Sequence, residues 1–285
     1  MITSVGNAQV KQVCAYVQKA KERRRDRIYV VEGPRMFEEA PVDSVRNVYV
    51  AEEFLEGCTA AETVRTGENG LQKQTRQVPA NRQQRILEKL KTCGYEIVSP
   101  QVMDKISDTS ANQGILALLS WPQYDWQGLL AKPDGIYLVL EDLQDPGNLG
   151  TIFRTAEGAG VSGVILTKET VDIYNPKTIR ATMGSIYRVP FLYADSAAEA
   201  IDRLKERGIS VYAAHLKGTQ SYDCFDYTKG CAFLIGNEGN GLREETAAMA
   251  DTYVRIPMAG QLESLNAAVA AALLMYEAAR QRRIH

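Results

Sequence analysis

Histidine and cysteine are scarce in this chain, two and five among 285 residues. Cys14, Cys58, Cys93, Cys224 and Cys231 are odd in number and form no C-x-x-C, so neither a disulfide framework nor a common zinc site is indicated. The thiols are expected in the core, and no metal is expected to bind. Long apolar runs are missing too: the longest, Ala267 to Tyr276, falls well short of the ~20 residues that cross a bilayer. The opening Met-Ile-Thr-Ser-Val-Gly-Asn has no charged segment followed by an apolar one, unlike a secretory signal. These absences predict a soluble, cytoplasmic protein with no membrane partner. No G-x-G-x-x-G follows a strand-like run, no G-x-x-x-x-G-K-[ST] occurs, and His215 lacks a partner motif for a Ser or Cys triad. That argues against Rossmann dehydrogenases and nucleotide hydrolases. Positive charge is not in excess either, with 33 Lys+Arg against 35 Asp+Glu and a net charge of −2, whereas nucleic-acid binders usually carry a basic footprint.

What is present is ordinary globular usage, 45% hydrophobic and 24% charged, in a chain long enough for two domains. The charge is uneven: residues 1–121 hold 17 Lys+Arg against 15 Asp+Glu, and 122–285 hold 16 against 20. Val5, Val10, Val13 and Val17 recur at helical spacing over residues 4–20, and a basic run follows, Lys19, Lys21, Arg23, Arg24, Arg25 and Arg27. The run is either a solvated helix end or a set of phosphate contacts. Ile28–Val31 reads as a strand entering a Gly33-Pro34 turn, Arg35–Glu39 as a helix start and Asn47–Ala51 as a second strand. Residues 66–82 are polar and rich in chain breakers, which predicts a mobile loop before a helix at about 82–92. Tyr95–Val98 and Gly114–Ser120 complete a small α/β unit over 1–121. Pro122, Gly128 and Pro133 mark 122–134 as a linker, with Trp126 and Leu129-Leu130 placed to pack on one of the domains.

From residue 135 to 285 the rhythm is strand then helix: Ile136–Leu140, Gly163–Thr167, Ile209–Ala214, Cys231–Ile235 and Tyr253–Ile256 are strand-like. The expectation is a mainly parallel sheet with helices on both faces. Three stretches here join an apolar run to a loop rich in Gly, Asn, Ser or Glu, the usual setting of a ligand site in open α/β sheets. They are Asn148-Leu149-Gly150-Thr151-Ile152-Phe153-Arg154, Ile235-Gly236-Asn237-Glu238-Gly239, and Ile256-Pro257-Met258 with Leu262 to Ala270.

In order and content the three resemble the signature motifs of the SpoU (TrmH-like) RNA 2′-O-ribose methyltransferases of the SPOUT superfamily, over roughly residues 135–285. The Val-Val-Glu-Gly-Pro-Arg stretch, residues 30–35, resembles the ribosomal-protein-like RNA-binding domain that precedes many of these enzymes. The resemblance implies a C-terminal trefoil knot and S-adenosylmethionine as cofactor. It further implies a ribose 2′-hydroxyl as methyl acceptor, in ribosomal RNA ahead of transfer RNA, and a homodimer built on the helix from Asn266 to Tyr276.

For single residues the resemblance sets one reading beside a plainer one. Asn148 holds the ribose or fixes Arg154, or else is a helix N-cap. Arg154 is the residue often assigned as proton acceptor, or else pairs with Glu157 or another surface carboxylate. Because a guanidinium is a very poor base and a fork of donors, clamping the neighbouring phosphate and orienting the ribose oxygen is the easier task for it. Glu238 orients the Arg or the substrate, and Gly236 touches the cofactor through its backbone, or both belong to a plain Gly-rich turn. Ser264 and Asn266 match the S-x-N of the third motif or cap a helix. Ile256, Met258 and Leu265 hold the adenine and methionine parts of the cofactor or are core. His215, after the Ile209–Ala214 strand, lines the cofactor pocket or is an ordinary surface or core residue. Lys21, Arg23, Arg24, Arg25 and Arg35 are candidate RNA contacts. Two other classes stand beside this: a noncatalytic RNA-binding or ribosome-assembly factor that keeps the fold, and a different ligand-binding α/β enzyme.

Overall fold

The computed structural model describes residues 1–60 and 80–284. The loop expected over 66–82 therefore lies outside the described residues, except that 80–82 already belong to a helix. The chain divides into two compact units, Met1–Pro122 with Tyr174–Pro176, and Gln123–Ile173 with Lys177–His285.

The first unit runs α1 (Ala8–Gln18), α2 (Ala20–Asp26), β1 (Ile28–Glu32), α3 (Pro34–Glu39), β2 (Val45–Ala51), α4 (Glu52–Ala60), α5 (Ala80–Cys93), β3 (Glu96–Val98), α6 (Pro100–Ile106) and β4 (Ile115–Ser120). Asn7 caps α1 by accepting from the Gln9 amide at 2.8 Å, and the helix buries Val10, Val13, Tyr16 and Val17 as one apolar stripe. Val5 lies before the helix and is exposed. The sheet order is β1-β4-β2-β3, with β2 and β3 parallel and the other pairs antiparallel. Residues from α1 and α6 form a core cluster with Val30, Tyr49, Leu116 and Leu118 of the sheet.

The second unit runs α7 (Trp126–Leu129), β5 (Ile136–Leu140), α8 (Pro146–Ala159), β6 (Gly163–Thr167), α9 (Pro176–Thr182), β7 (Phe191–Ala194), α10 (Ala197–Glu206), β8 (Ser210–Ala214), β9 (Cys231–Ile235), α11 (Glu244–Ala248), β10 (Thr252–Val254) and α12 (Ala267–Ile284). The sheet order is β10-β8-β9-β5-β6-β7, and each pairing is parallel. β5, β6 and β9 are buried at each position, which is why they read as unbroken apolar runs instead of alternating ones. Val139, Ile165, Val211 and Leu234 face a cluster with Ala200, Ile201 and Leu204 of α10. Residues of opposite parity on the strands face the other way, where α12 packs on β9 and α8. Part of the stretch read as a linker is core: Leu129 and Leu130 are buried in the α10 cluster with Trp126 against it. The chain runs from the central β5 outward to β7, then returns to β8 on the far side of β9. Such a reversal opens a crevice at the carboxyl ends of the central strands.

Candidate active site

The loops that leave β5, β8, β9 and β10 all emerge at the carboxyl edge of the parallel sheet. After β5, Asp145 caps α8 by accepting from the Asn148 amide at 2.7 Å, and Pro146 occupies the first turn. The capping reading of Asn148 is thus corrected: Asp145 does that work, which leaves the Asn148 side chain available. After β9, Gly236 sits so close to the returning loop that a Cβ would lie 2.1 Å from Gly241 C and Leu242 N. Asn237 closes this tight loop, accepting at Oδ1 from the amides of Gly239 at 2.9 Å and Asn240 at 3.1 Å. Before α12, Asn266 is the cap, with Oδ1 accepting from the Ala268 amide at 2.9 Å.

One hydrogen-bonded chain joins the three loops. Asn148 Nδ2 donates to Glu238 Oε1 at 3.0 Å, and Asn266 Nδ2 donates to Asn148 Oδ1 at 2.9 Å. The Glu238 carboxylate also accepts from the amides of Gln144 and Asp145, each at 3.0 Å. Partial burial pushes the Glu238 carboxyl up, but the Asn148 donor and the backbone amides outweigh it, so the net shift is below the usual carboxylate range. The lacing also runs in the other direction. Glu141, buried, accepts at Oε2 from the Arg243 amide at 2.9 Å and at Oε1 from the Thr246 hydroxyl at 2.5 Å. Asp142, held in the left-handed region at φ 55°, pairs with the Arg243 guanidinium and accepts from Thr167 Oγ1 at 2.8 Å. Its carbonyl accepts from Asn237 Nδ2 at 2.8 Å. Glu141, Asp142 and Asn237 are positioning residues that sequence reasoning missed; the available signal was two adjacent carboxylates directly after an apolar strand.

Arg154 and Ser264 do not join this chain. Both are exposed, and among the described residues neither side chain has a hydrogen bond or ion pair. Six residues along a helix turn Arg154 about 120° from the direction of Asn148. The surface-pair alternative is not realised either, since Glu157 pairs with Arg188. Among the described residues the Glu238 carboxylate accepts from the Asn148 side chain and forms no hydrogen bond or ion pair with Arg154.

Residues 256–265 supply a different kind of surface. Among the described residues, none of their backbone N–H or C=O groups takes part in a hydrogen bond, while Ile256, Met258 and Leu265 are half-buried. Unspent backbone donors and acceptors beside apolar side chains fit an adenosyl ligand, whose purine needs both. His215 stands nearby at the end of β8: its amide donates to Val254 O at 3.1 Å, its Nδ1 accepts from the Lys217 amide at 3.2 Å, and its ring lies 5.0 Å from Tyr253.

The basic candidates of the first unit divide. Arg23 is buried and donates to the carbonyls of Tyr16 at 2.7 Å and Val17 at 3.1 Å, so it ties down the end of α1 and cannot meet a phosphate. Arg25 is paired with Glu22 and Asp26 and Arg35 with Glu39, whereas Lys21 and Arg24 are exposed. Among the described residues no cluster of metal-ligating side chains occurs and no helix is long and apolar enough to cross a membrane.

The fold is that of an open, parallel α/β protein, with the crevice in which such folds take their ligands lying where the strand order reverses. Comparison with known proteins narrows the class. Residues 135–276 match the SpoU rRNA methylase family, and residues 7–117 match the MRM3-like substrate binding domain. An uncharacterized tRNA/rRNA methyltransferase of Synechocystis is 36% identical over 187 residues, which cover 65% of this chain and 67% of the relative. The 23S rRNA (uridine(2479)-2′-O)-methyltransferase of Streptomyces viridochromogenes is 33% identical over 191 residues, covering 65% and 67%. The crystal structure of the SpoU methyltransferase AviRb from the same organism, in complex with AdoMet, matches with a TM-score of 0.80 at 27% identity over 97% of this chain and 98% of that one. The chain belongs to the SpoU methylase family. It is an RNA methyltransferase, and its cofactor is S-adenosylmethionine.

Proposed function

We propose that this enzyme methylates a ribose 2′-hydroxyl in structured RNA, ribosomal RNA ahead of transfer RNA, with residues 1–121 binding the RNA and 135–285 catalysing the transfer. The observation that carries the reading is the Glu238–Asn148–Asn266 chain, which fixes one carboxamide at the point where the three motif loops meet. A carboxamide has two donor hydrogens and two acceptor lone pairs. Asn148 spends one of each on Glu238 and Asn266, and keeps one of each for a hydroxyl, which itself donates and accepts. A 2′-hydroxyl is a weak nucleophile, so holding its oxygen in line with the methyl carbon supplies much of the rate. When bound, S-adenosylmethionine supplies the sulfonium methyl, with residues 256–265, Gly236 and His215 holding it. Arg154, exposed and with no side-chain partner among the described residues, clamps the adjacent phosphate and orients the ribose oxygen while the hydroxyl proton leaves to water. Ser264 joins the site once RNA is present. The trefoil knot and the homodimer through α12 belong to the same proposal and rest on the resemblance of the motifs; a cytoplasmic location is part of it as well.

Radiolabelled methyl transfer to unmodified ribosomal and transfer RNA tests it. Incorporation that survives nucleobase removal, and falls at least about a hundredfold in Arg154→Ala, is the expected result, as for loss of a group that positions or stabilises the reacting centre. Label confined to the bases would sink the ribose reading, and cofactor binding without transfer to either RNA would favour the noncatalytic assembly factor. In Arg154→Lys, the kcat–pH profile keeps its shape if the guanidinium only orients, and loses an ionisation if it is the base.

A further inference from the structure

Folding uses part of the basic run of α2 and leaves the rest in a pattern. Arg23 is buried against α1 and Arg25 is paired with Glu22 and Asp26. Lys21 and Arg24 stand three residues apart on the solvent side of the helix, and Arg27 follows after three more, at the left-handed residue that ends the helix. All three are exposed, and among the described residues none of their side chains has a hydrogen-bonding or ion-pairing partner.

A fourth cation comes from a distant part of the sequence. β4 pairs with β1 through Ser120 opposite Ile28, and with β2 through Leu119 opposite Val45. The same end is fastened by Trp121 N donating to Arg27 O at 2.9 Å and by Ser120 Oγ donating to Ser44 O at 3.2 Å. Arg27 and Arg46 therefore share one end of the sheet, at the two strands that flank β4. The register of β2 on β4 shifts between Val45 and Asn47, so Arg46 is the extra residue of a bulge, a device that re-aims a side chain. Arg46 is exposed and likewise without a side-chain partner among the described residues. Asp43, the exposed carboxylate on this connection, forms no ion pair with any of the four among the described residues.

We propose that Lys21, Arg24, Arg27 and Arg46 form a phosphate-binding face along which the backbone of the substrate RNA runs; this rests on the RNA methyltransferase reading above. Four cations left unneutralised in a chain of net charge −2 are a concentrated positive field. Residues 19–46 expose no aromatic side chain, so the face lacks the anchors that protein partners use. The face differs from the basic run read in sequence: it drops Arg23 and Arg25 and gains Arg27 and Arg46.

The test is filter binding of in vitro transcribed ribosomal RNA between 50 and 200 mM KCl, roughly the range over which phosphate contacts dominate affinity. The variant is Arg27→Asn with Arg46→Gln; Asn tolerates the left-handed backbone at position 27. The slope of log K against log salt should flatten by about 1.5, from about 0.7 to 0.9 per lost contact, with cofactor affinity by calorimetry unchanged. Lys21→Gln with Arg24→Gln gives a second, independent pair on the helix, expected to flatten the slope equally. A wild-type slope in both pairs overturns the face. Wild-type protein that binds RNA with this salt dependence but transfers no methyl keeps the face and sinks the enzymatic reading instead.

Discussion

At the scale of single residues, Glu238 holds the site together through hydrogen bonds to its ionised form, three of them at 3.0 Å. Its folded pKa lies below the ordinary value of 4.5, so the stabilisation is complete above the unfolded pKa and is lost as pH falls through the folded one. The group is largely exposed to solvent, and screening holds the contribution to about 1 kcal/mol or less. We expect Glu238→Gln to be less stable than wild type by that amount at pH 7 in urea denaturation, and the gap to close below about pH 4. A gap that persists unchanged at pH 3 would assign the loss to something other than the carboxylate. The residue types of the site were legible in the sequence because Asn, Glu and Asn recur in loops after apolar runs. Their partners were not: that Asp145 takes the cap and Arg23 turns inward depends on three-dimensional neighbours that spacing does not encode.

At the scale of elements, Gly150 is fixed by close approach. A Cβ on Gly150 would lie 2.3 Å from Ala181 Cβ and 2.8 Å from Thr178 O, so α8 and α9 touch through the position. Gly→Ala within a helix gains up to about 1 kcal/mol in propensity, while overpacking costs about 1–3 kcal/mol. Gly150→Ala should therefore destabilise by about 1–2 kcal/mol in thermal or urea unfolding and lower kcat by displacing the helix that carries Asn148. Thr246→Val removes the hydroxyl that Glu141 accepts from and leaves a buried carboxylate oxygen short of a donor, at a cost of about 1–3 kcal/mol. If kcat and stability were both unaffected, the Glu141 lacing would have no bearing on the site. The long buried strands β5, β6 and β9 were legible because burial on both faces demands unbroken apolar runs. β7, four residues long with Tyr193 exposed, offers too little period to detect. Strand β10 begins one residue earlier and ends two earlier than the apolar pattern suggested, because Arg255 bridges to Ser221 and Ile256 leaves the sheet.

At the scale of the whole molecule, the two ligands should leave separate footprints in amide hydrogen exchange. Amides without a hydrogen-bonded partner exchange at nearly unprotected rates, and residues 256–265 consist of such groups among the described residues. S-adenosylmethionine should slow exchange in that stretch and in 236–241, because it both fills the backbone donors and tightens the loop that Gly236 brings close. It should leave residues 1–60 unchanged. It should also raise the unfolding free energy of the second unit by about 2.7 kcal/mol at a hundredfold excess over Kd. RNA should protect residues 19–47. Net charge obscures this division of labour: a chain carrying −2 overall places four unpaired cations, Lys21, Arg24, Arg27 and Arg46, on the first unit and its interlaced carboxylates, Glu141, Asp142 and Glu238, at the sheet edge of the second. If the cofactor protected residues 19–47, or left 256–265 exchanging freely, the division would fail. The stretch after β10 would then be an ordinary loop instead of the cofactor's cradle.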